Sequence, residues 1–189
     1  MKYIITGLHS SGKQELCAML QDAGVKCGKL FTNDPVSDIR YEMYSNEDIT
    51  SIFENKAYVF IKEHDEMSPN SYEGLSLYEW DNNDVFLLSP DQFNSLNVSA
   101  LDNDICVIWL DNNTATRRAR YDEERRDYDW ALQESVETRN IDDFIKTIYN
   151  TKKMQVVYFN NEDLTRVFGV IQVMLKHPDT VSIFSSTFN

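Results

Sequence analysis

The chain predicts an α/β fold on a mostly parallel sheet, and three features of its sequence carry that prediction. Short apolar runs recur along its 189 residues with helix-forming stretches between them. Two of these runs, Val85 to Leu88 (VFLL) and Ile105 to Leu110 (ICVIWL), are continuous rather than alternating, as strands covered on both faces are. The first run ends in a glycine turn that opens directly into a helix-forming stretch.

Taken in order, Lys2 to Thr6 reads as the first strand, ending at Gly7, and Lys13 to Asp22 as the first helix, with Gly24 as its C-terminal cap. Val25 to Phe31 reads as a second strand, and Ala57 to Ile61 and Gln155 to Phe159 complete the strand set with VFLL and ICVIWL. Helices are expected at Pro90 to Leu96, Asn113 to Asp122, Asp129 to Asn150 and Asp163 to Lys176. In the last of these, Leu164, Val167, Phe168, Ile171 and Leu175 recur at helical spacing. From about Thr32 to Trp80 the chain is polar and tyrosine-rich with one convincing strand, and reads as an insertion or small lobe. The tail from Asp179 to Asn189 reads as a loosely held extension. At 22.1 kDa the length suits one core with a mobile insertion better than two full domains.

Hydrophobic residues at 42% with only 6 Gly and 4 Pro exclude disordered and collagen-like classes. The 31 acidic against 18 basic side chains give a net charge of −13, which repels nucleic acid and anionic membrane surfaces, so an anionic ligand must be met by local positive charge. Cys17, Cys27 and Cys106 are odd in number and lack CxxC spacing, which suggests neither a disulfide framework nor a zinc site and fits a reducing cytoplasm. The apolar start is too short for a signal-peptide core, and no stretch approaches the roughly 18 apolar residues of a membrane span. A soluble, cytoplasmic protein is expected.

The chemistry begins at Gly7-Leu8-His9-Ser10-Ser11-Gly12-Lys13-Gln14, which fits the phosphate-binding loop GxxxxGK[ST] at every defined position except the last. Glycines let the backbone wrap an oxyanion, successive N–H groups and the helix N-terminus point at phosphates, and the lysine reaches the outer ones. Gly7, Ser10, Ser11, Gly12, Lys13 and Gln14 are therefore the candidate triphosphate site. The plainer reading is a glycine-bounded turn with a surface lysine. Gln14 stands where a Ser or Thr hydroxyl would ligate Mg²⁺; an amide oxygen can still touch the ion or accept from its water, but is longer and differently placed.

Further landmarks follow the loop in order. Val157 to Leu164 (VYFNNEDL) is a strand running into an Asn-rich turn and a capped helix. In the insertion, Tyr41-Glu42-Met43-Tyr44-Ser45 precedes a short helix-forming run through Phe53, and Tyr72-Glu73-Gly74-Leu75-Ser76 follows later. Together with the loop these resemble the guanylate kinase branch of the nucleoside monophosphate kinases. That resemblance implies a P-loop three-layer fold with three parts: a core (1–31, 81–115 and 151–178) that binds ATP, a lobe (32–80) that binds a monophosphate, and an arginine-bearing lid (about 116–150). It implies Asn160 and Asn161 beside the adenine, Tyr44 and Tyr72 with Ser76 at the monophosphate, Arg40 as its ionic partner, and Glu63 or a neighbour on the base. The family's segment before the lobe usually offers two arginines. Here Phe31 to Arg40 holds one arginine and two aspartates, so either Arg40 and the tyrosines suffice or the accepted monophosphate differs from GMP.

Arg117, Arg118, Arg120, Arg125 and Arg126 fall within ten residues of an acidic chain, and Arg139 follows on the next helix. The resemblance casts Lys13, Arg117, Arg118, Arg125, Arg126 and Arg139 as the groups that hold charge on the transferred phosphoryl. The alternative is a salt-bridged helix, since Asp122, Glu123, Glu124, Asp127 and Asp129 are interleaved. Asp91, after VFLL, is the candidate for a metal-water or base contact, or an acid at a helix start. Resemblance thus implies ATP-dependent, Mg²⁺-assisted phosphorylation of a (deoxy)nucleoside monophosphate by a monomer or homodimer, in a divergent member, a viral one among the options. Two other readings stay open: a guanylate-kinase-like binding module that has lost turnover, and a P-loop kinase for another small acceptor.

Overall fold

The computed structural model describes residues 1–35, 38–63, 70–97, 101, 104–123, 129–151, 154–160 and 163–184. β1 (Lys2–Thr6) lies at the centre of a five-stranded sheet in which every pairing is parallel. On one side it pairs with β7 (Val85–Leu87), which in turn carries the short edge strand β2 (Cys27–Gly28). On the other it pairs with β8 (Ile105–Asp111), which carries β9 (Met154–Asn160). The continuous apolar runs are the buried strands: every residue of Val85 to Leu87 and Ile105 to Leu110 is buried.

Because successive strand side chains point to opposite faces, the sheet builds two cores. Tyr3, Ile5, Val85, Leu87, Cys106 and Ile108 face α1 (Lys13–Asp22) and α7 (Leu164–Lys176) through Leu16, Leu20, Val167 and Ile171. Ile4, Phe86, Ile105, Val107 and Trp109 face the other way, onto Phe93 of α4 (Pro90–Asn94) and Phe144 of α6 (Trp130–Asn150). The result is the mixed α/β, three-layer arrangement that the alternation of strand and helix predicts.

The insertion is more regular than its sequence suggests. It forms a four-stranded sheet in the order β4-β3-β6-β5, made of β3 (Leu30–Thr32), β4 (Tyr41–Met43), β5 (Tyr58–Glu63) and β6 (Tyr72–Ser76). β3 and β4 are parallel and the other pairings antiparallel. The expectation of a single convincing strand is thus corrected: β3 and β4 have three residues each, too few to display a period. The expected strand from Val25 to Phe31 also divides, with Cys27–Gly28 in the large sheet and Leu30–Thr32 in the small one. Two helices complete the lobe, α2 (Asn46–Glu54), started by a Ser45/Asp48 capping box, and α3 (Leu77–Asn82), capped by Ser76.

Past β8, α5 (Thr114–Glu123) is followed by α6, whose N-cap Asp129 accepts from Ala131 N–H at 2.8 Å. The second half of α6 is a core layer, with the Phe144 ring 4.8 Å from that of Phe93 and 4.9 Å from that of Trp109. The tail is docked through residue 184: a 3₁₀ turn (Pro178–Thr180) leads into α8 (Val181–Phe184), and Val181 is 0% exposed in the α1/α7 core.

Candidate functional site

The 7–14 loop leaves β1 and enters α1 along a path only glycine takes easily. At Gly7 (φ 150°) a Cβ would come within 2.3 Å of the Leu110 carbonyl oxygen, and at Gly12 (φ 94°) within 2.9 Å of both an Arg120 guanidinium nitrogen and Leu164. Gly12 is the N-cap of α1 and brings no side chain to cap it, so the first-turn N–H groups have no side-chain acceptor at the cap. Lys13 is 9% exposed and folds back over the loop, its Nζ donating to the Gly7 and Leu8 carbonyls at 2.6 Å each and to Ser11 Oγ at 3.3 Å.

Residues 9–15, Arg40 and Tyr41 from the lobe, Ser89 and Gln92 from the start of α4, Arg120 from α5 and Glu137 from α6 line one cleft of about 260 Å³. The sequence-predicted loop residues Ser10, Ser11, Gly12, Lys13 and Gln14 all border it, as does Arg40.

Arg40 does not face the cleft unpaired. Its backbone N–H and Nε donate to Asp38 Oδ1 at 2.9 and 3.1 Å, and its Nε and Nη2 donate to Oδ2 at 2.9 and 2.6 Å. Gln14 Nε2 donates to the same Oδ2 at 2.7 Å. Burial opposes ionisation of both partners, but their mutual hydrogen bonds and charge outweigh it, holding Asp38 below the ordinary carboxylate range and Arg40 above its own.

Behind this pair lies a buried polar cluster that the sequence does not announce. Tyr41 OH donates to Glu73 Oε2 at 2.7 Å, and Gln92 Nε2 donates to the Tyr41 oxygen at 2.6 Å and to Glu73 Oε2 at 2.8 Å. Burial and then the Glu73 charge push the Tyr41 phenol well above its ordinary value. Gln92 is fixed by a capping box with Ser89, whose N–H donates to Gln92 Oε1 at 2.9 Å. The Ser89-Pro90-Asp91-Gln92 spacing was the readable signal for this cap.

From α6, Glu137 Oε2 accepts from the His9 backbone N–H at 2.7 Å and pairs with its ring Nδ1 at 2.9 Å. Burial raises the Glu137 carboxyl, but the two His9 bonds outweigh it and hold it low. The His9 ring packs edge-on against Trp130 at 4.3 Å and Tyr121 at 5.8 Å.

The arginines of the basic run divide. Arg117 is 3% exposed and faces inward, its Nη1 and Nη2 donating to Glu134 at 2.8 and 2.6 Å and its Nε to the Asn112 carbonyl at 3.2 Å. Those bonds hold the Glu134 carboxyl low. Arg118 is about half exposed, pairs with Asp122 at 3.1 Å and lies over the Tyr121 and Trp130 rings. Arg139, on the exposed side of α6, donates to the Ser135 carbonyl at 3.4 Å. Arg125 and Arg126 lie outside the described residues. Among the described arginines of this run, the one that reaches the 7–14 loop is Arg120, whose Nη1 lies 3.5 Å from the Ser10 carbonyl and 3.8 Å from Glu15 Oε2. Periodicity could have found it: Arg117 and Tyr121, four apart, form the buried stripe of α5, and Arg120 lies beside it.

The remaining lobe candidates do not line the cleft. Tyr44 stacks on Phe31 with centroids 5.4 Å apart, Ser76 Oγ accepts from Glu79 N–H at 3.2 Å as a helix cap, and Tyr72 sits opposite the exposed Glu63 in the β5/β6 register. Asp91 forms an ion pair with Lys62 of β5. Asn160 ends β9 opposite Asp111, and Asn161 lies outside the described residues. The residues at the two candidate metal positions do not fit a direct Mg²⁺ site, because the Gln14 amide is bonded through nitrogen to Asp38 and Asp91 is held by an ammonium. Among the described residues no group of three His, Cys, Asp or Glu side chains could hold a metal, and no helix is long and apolar enough to cross a membrane.

No family model and no curated protein sequence matches the chain. Among solved structures it is similar to guanylate kinase from Anaplasma phagocytophilum, with a TM-score of 0.56 at 13% identity over 100% of this chain and 90% of that one. It is also similar to deoxyadenosine kinase from M. mycoides with the products dCMP and a flexible dCDP bound, with a TM-score of 0.51 at 18% identity over 93% of this chain and 99% of that one. At such identities the likeness speaks for the fold, and the five-stranded parallel sheet with its flanking helices is the P-loop kinase fold of these neighbours.

Proposed function

We propose that the chain is a phosphotransferase that holds a nucleoside triphosphate on the 7–14 loop and passes its terminal phosphoryl group to a nucleoside monophosphate in the small lobe. The observation that carries this reading is the convergence of Lys13, Arg120 and Arg40 on one cleft roofed by the loop and bordered by the lobe. In a chain of net charge −13 these three cations are gathered at one cleft, where Glu15, Glu137 and the Asp38 carboxylate on Arg40 offset part of their charge, so Lys13 and Arg120 at the glycine loop are the groups best placed to meet an anion. The neighbours are, by their descriptions, a guanylate kinase and a deoxyadenosine kinase.

In this reading Lys13 exchanges the Gly7 and Leu8 carbonyls for the outer phosphates, the loop N–H groups cradle them, and Arg120 meets the charge that spreads over the transferred group. Arg40 faces the acceptor. A monophosphate acceptor is already anionic, so no general base is required and positioning does most of the work.

A second reading is favoured by one contact, the Asp38 carboxylate on Arg40. That pair leaves little net positive charge for a dianionic acceptor. It suits an uncharged acceptor instead, whose hydroxyl proton the Asp38 carboxylate would receive as the phosphoryl group arrives.

Purified protein with ATP and a panel of nucleoside monophosphates and nucleosides, followed by ADP release, separates the readings. Turnover with monophosphates supports the first and turnover with nucleosides alone the second. Measurable nucleotide binding without turnover on any acceptor overturns both and leaves a binding module. Full activity in Lys13→Ala would overturn the site itself.

A further inference from the structure

Gln14 follows the loop lysine, where such a loop carries a metal-ligating hydroxyl, and its side chain has a partner of another kind. The Gln14 amide donates to Asp38 Oδ2 at 2.7 Å. An ionised carboxylate only accepts, so chemistry fixes which end of the amide faces it: the nitrogen. Turning the amide oxygen outward to a cation would forfeit this bond. Asp38 is in no position to stand in for the missing hydroxyl, because both of its oxygens accept from Arg40 at 2.6 to 3.1 Å. A magnesium ion there would have to displace a guanidinium, while demanding near-octahedral oxygen geometry and dehydrating reluctantly.

The same bond joins two parts of the molecule 24 residues apart, the first turn of α1 and the connection between β3 and β4. The position that usually holds a metal here holds the acceptor lobe.

We propose, resting on the reading that the 7–14 loop binds nucleotide phosphates, that Gln14 is a positioning residue that tethers the phosphate loop to the lobe through Asp38, and that neither Gln14 nor Asp38 ligates the nucleotide's divalent cation directly. At this position the cation is held by the nucleotide's own oxygens and water. The protein's hold on the phosphates comes from Lys13, Arg120 and the loop N–H groups.

The test is calorimetric binding of ADP to the full chain, with excess MgCl₂ or with EDTA, for wild type, Gln14→Thr and Gln14→Ser. Both variants return a hydroxyl to the position, and two are used because either alone could fold poorly. The expected result is a magnesium advantage about tenfold greater in at least one hydroxyl variant than in wild type, equivalent to roughly 1.4 kcal/mol. Hydrogen exchange across residues 38–44 should also quicken in both variants, which loss of a metal ligand alone would not cause. A wild-type magnesium advantage equal to or above that of every folded variant overturns the inference, as does unchanged exchange across 38–44. If wild type binds no ADP in either condition, the phosphate-site reading falls and this inference with it. Binding with a strong wild-type magnesium requirement removes the inference alone.

Discussion

The Glu137 carboxylate meets His9 twice, accepting from its backbone N–H at 2.7 Å and pairing with its ring Nδ1 at 2.9 Å. One of the N–H groups of the 7–14 loop is therefore already occupied by an anion that the protein supplies from α6.

A phosphate entering the cleft meets that carboxylate as a like charge. Glu137→Gln keeps an oxygen to accept from His9 and removes the charge, so it should tighten ADP or pyrophosphate binding by about tenfold, roughly the effect of one unit charge at intermediate dielectric. Competition binding at two salt concentrations checks this, since the gain should shrink as screening rises. Unchanged or weaker binding would show instead that Glu137 supports the loop's shape.

Asp38, Glu134 and Glu137 are all held below the ordinary carboxylate range in the folded chain. A group depressed by folding contributes stability above its unfolded value and loses that contribution as pH falls through its folded value. The protein should therefore keep its stability down to about pH 4.5 and lose it progressively below, near the unfolded carboxylate values. Urea midpoints measured across that window check the sign, and Glu137→Gln should flatten the slope.

How far the sequence reveals this site depends on which physical constraint each part obeys. The path from β1 through Gly7 and Gly12 to Lys13 is legible because backbone sterics permit few residues there and because the strand and helix on either side have clear periods. The lobe sheet is not, because Leu30–Thr32 and Tyr41–Met43 gain their order from pairing with strands remote in sequence or with each other, β3 with β4 on one side and with β6 on the other. The same limit hides the Tyr41, Glu73 and Gln92 cluster, three polar residues from three elements with no local spacing to connect them. Tyr44, Tyr72 and Ser76 match a motif by type, yet in the structure they stack on Phe31, face Glu63 and cap α3. Side-chain type alone does not say which face of a strand or which end of a helix a residue serves.

Asp38→Asn separates the two acceptor readings. The amide keeps the shape but releases Arg40 from its counter-charge, so a monophosphate acceptor should be used more efficiently, with a lower KM at similar kcat. If a hydroxyl is the acceptor, loss of the carboxylate should instead lower kcat by about 10² or more while ATP binding persists. Steady-state kinetics on both acceptor classes, with the KM and kcat changes read separately, decides between them.

Phe144 tests whether the second half of α6 belongs to the core or to the lid expected over about 116–150. Its ring fills the space between Phe93 and Trp109, so Phe144→Ala should cost about 3–5 kcal/mol in urea unfolding. A cost that large means the second half of α6 unfolds with the core. A cost under about 1 kcal/mol would assign the whole of α6 to a separately moving lid.

The arginines of α5 offer the sharpest separation, because their spacing on one helix gives them different environments and therefore different losses. Arg117 is buried and chelates Glu134, so Arg117→Ala strips a partly buried carboxylate of its bidentate partner, leaving it only the His9 ring 3.7 Å away, and should destabilise the fold by roughly 3 kcal/mol. Arg118 pairs with Asp122 in solvent one residue further on, and Arg118→Ala should change stability by less than about 0.5 kcal/mol. Arg120 contacts the loop carbonyl of Ser10 and borders the cleft, so Arg120→Ala should leave the unfolding midpoint nearly unchanged while weakening ATP binding or turnover by at least about tenfold. Thermal melts and ADP titrations on the three variants therefore give three distinct signatures. If Arg118→Ala rather than Arg120→Ala carried the loss of binding, the α5 face turned toward the nucleotide would have to be the exposed one, and α5 would have to rotate on its axis when the ligand enters.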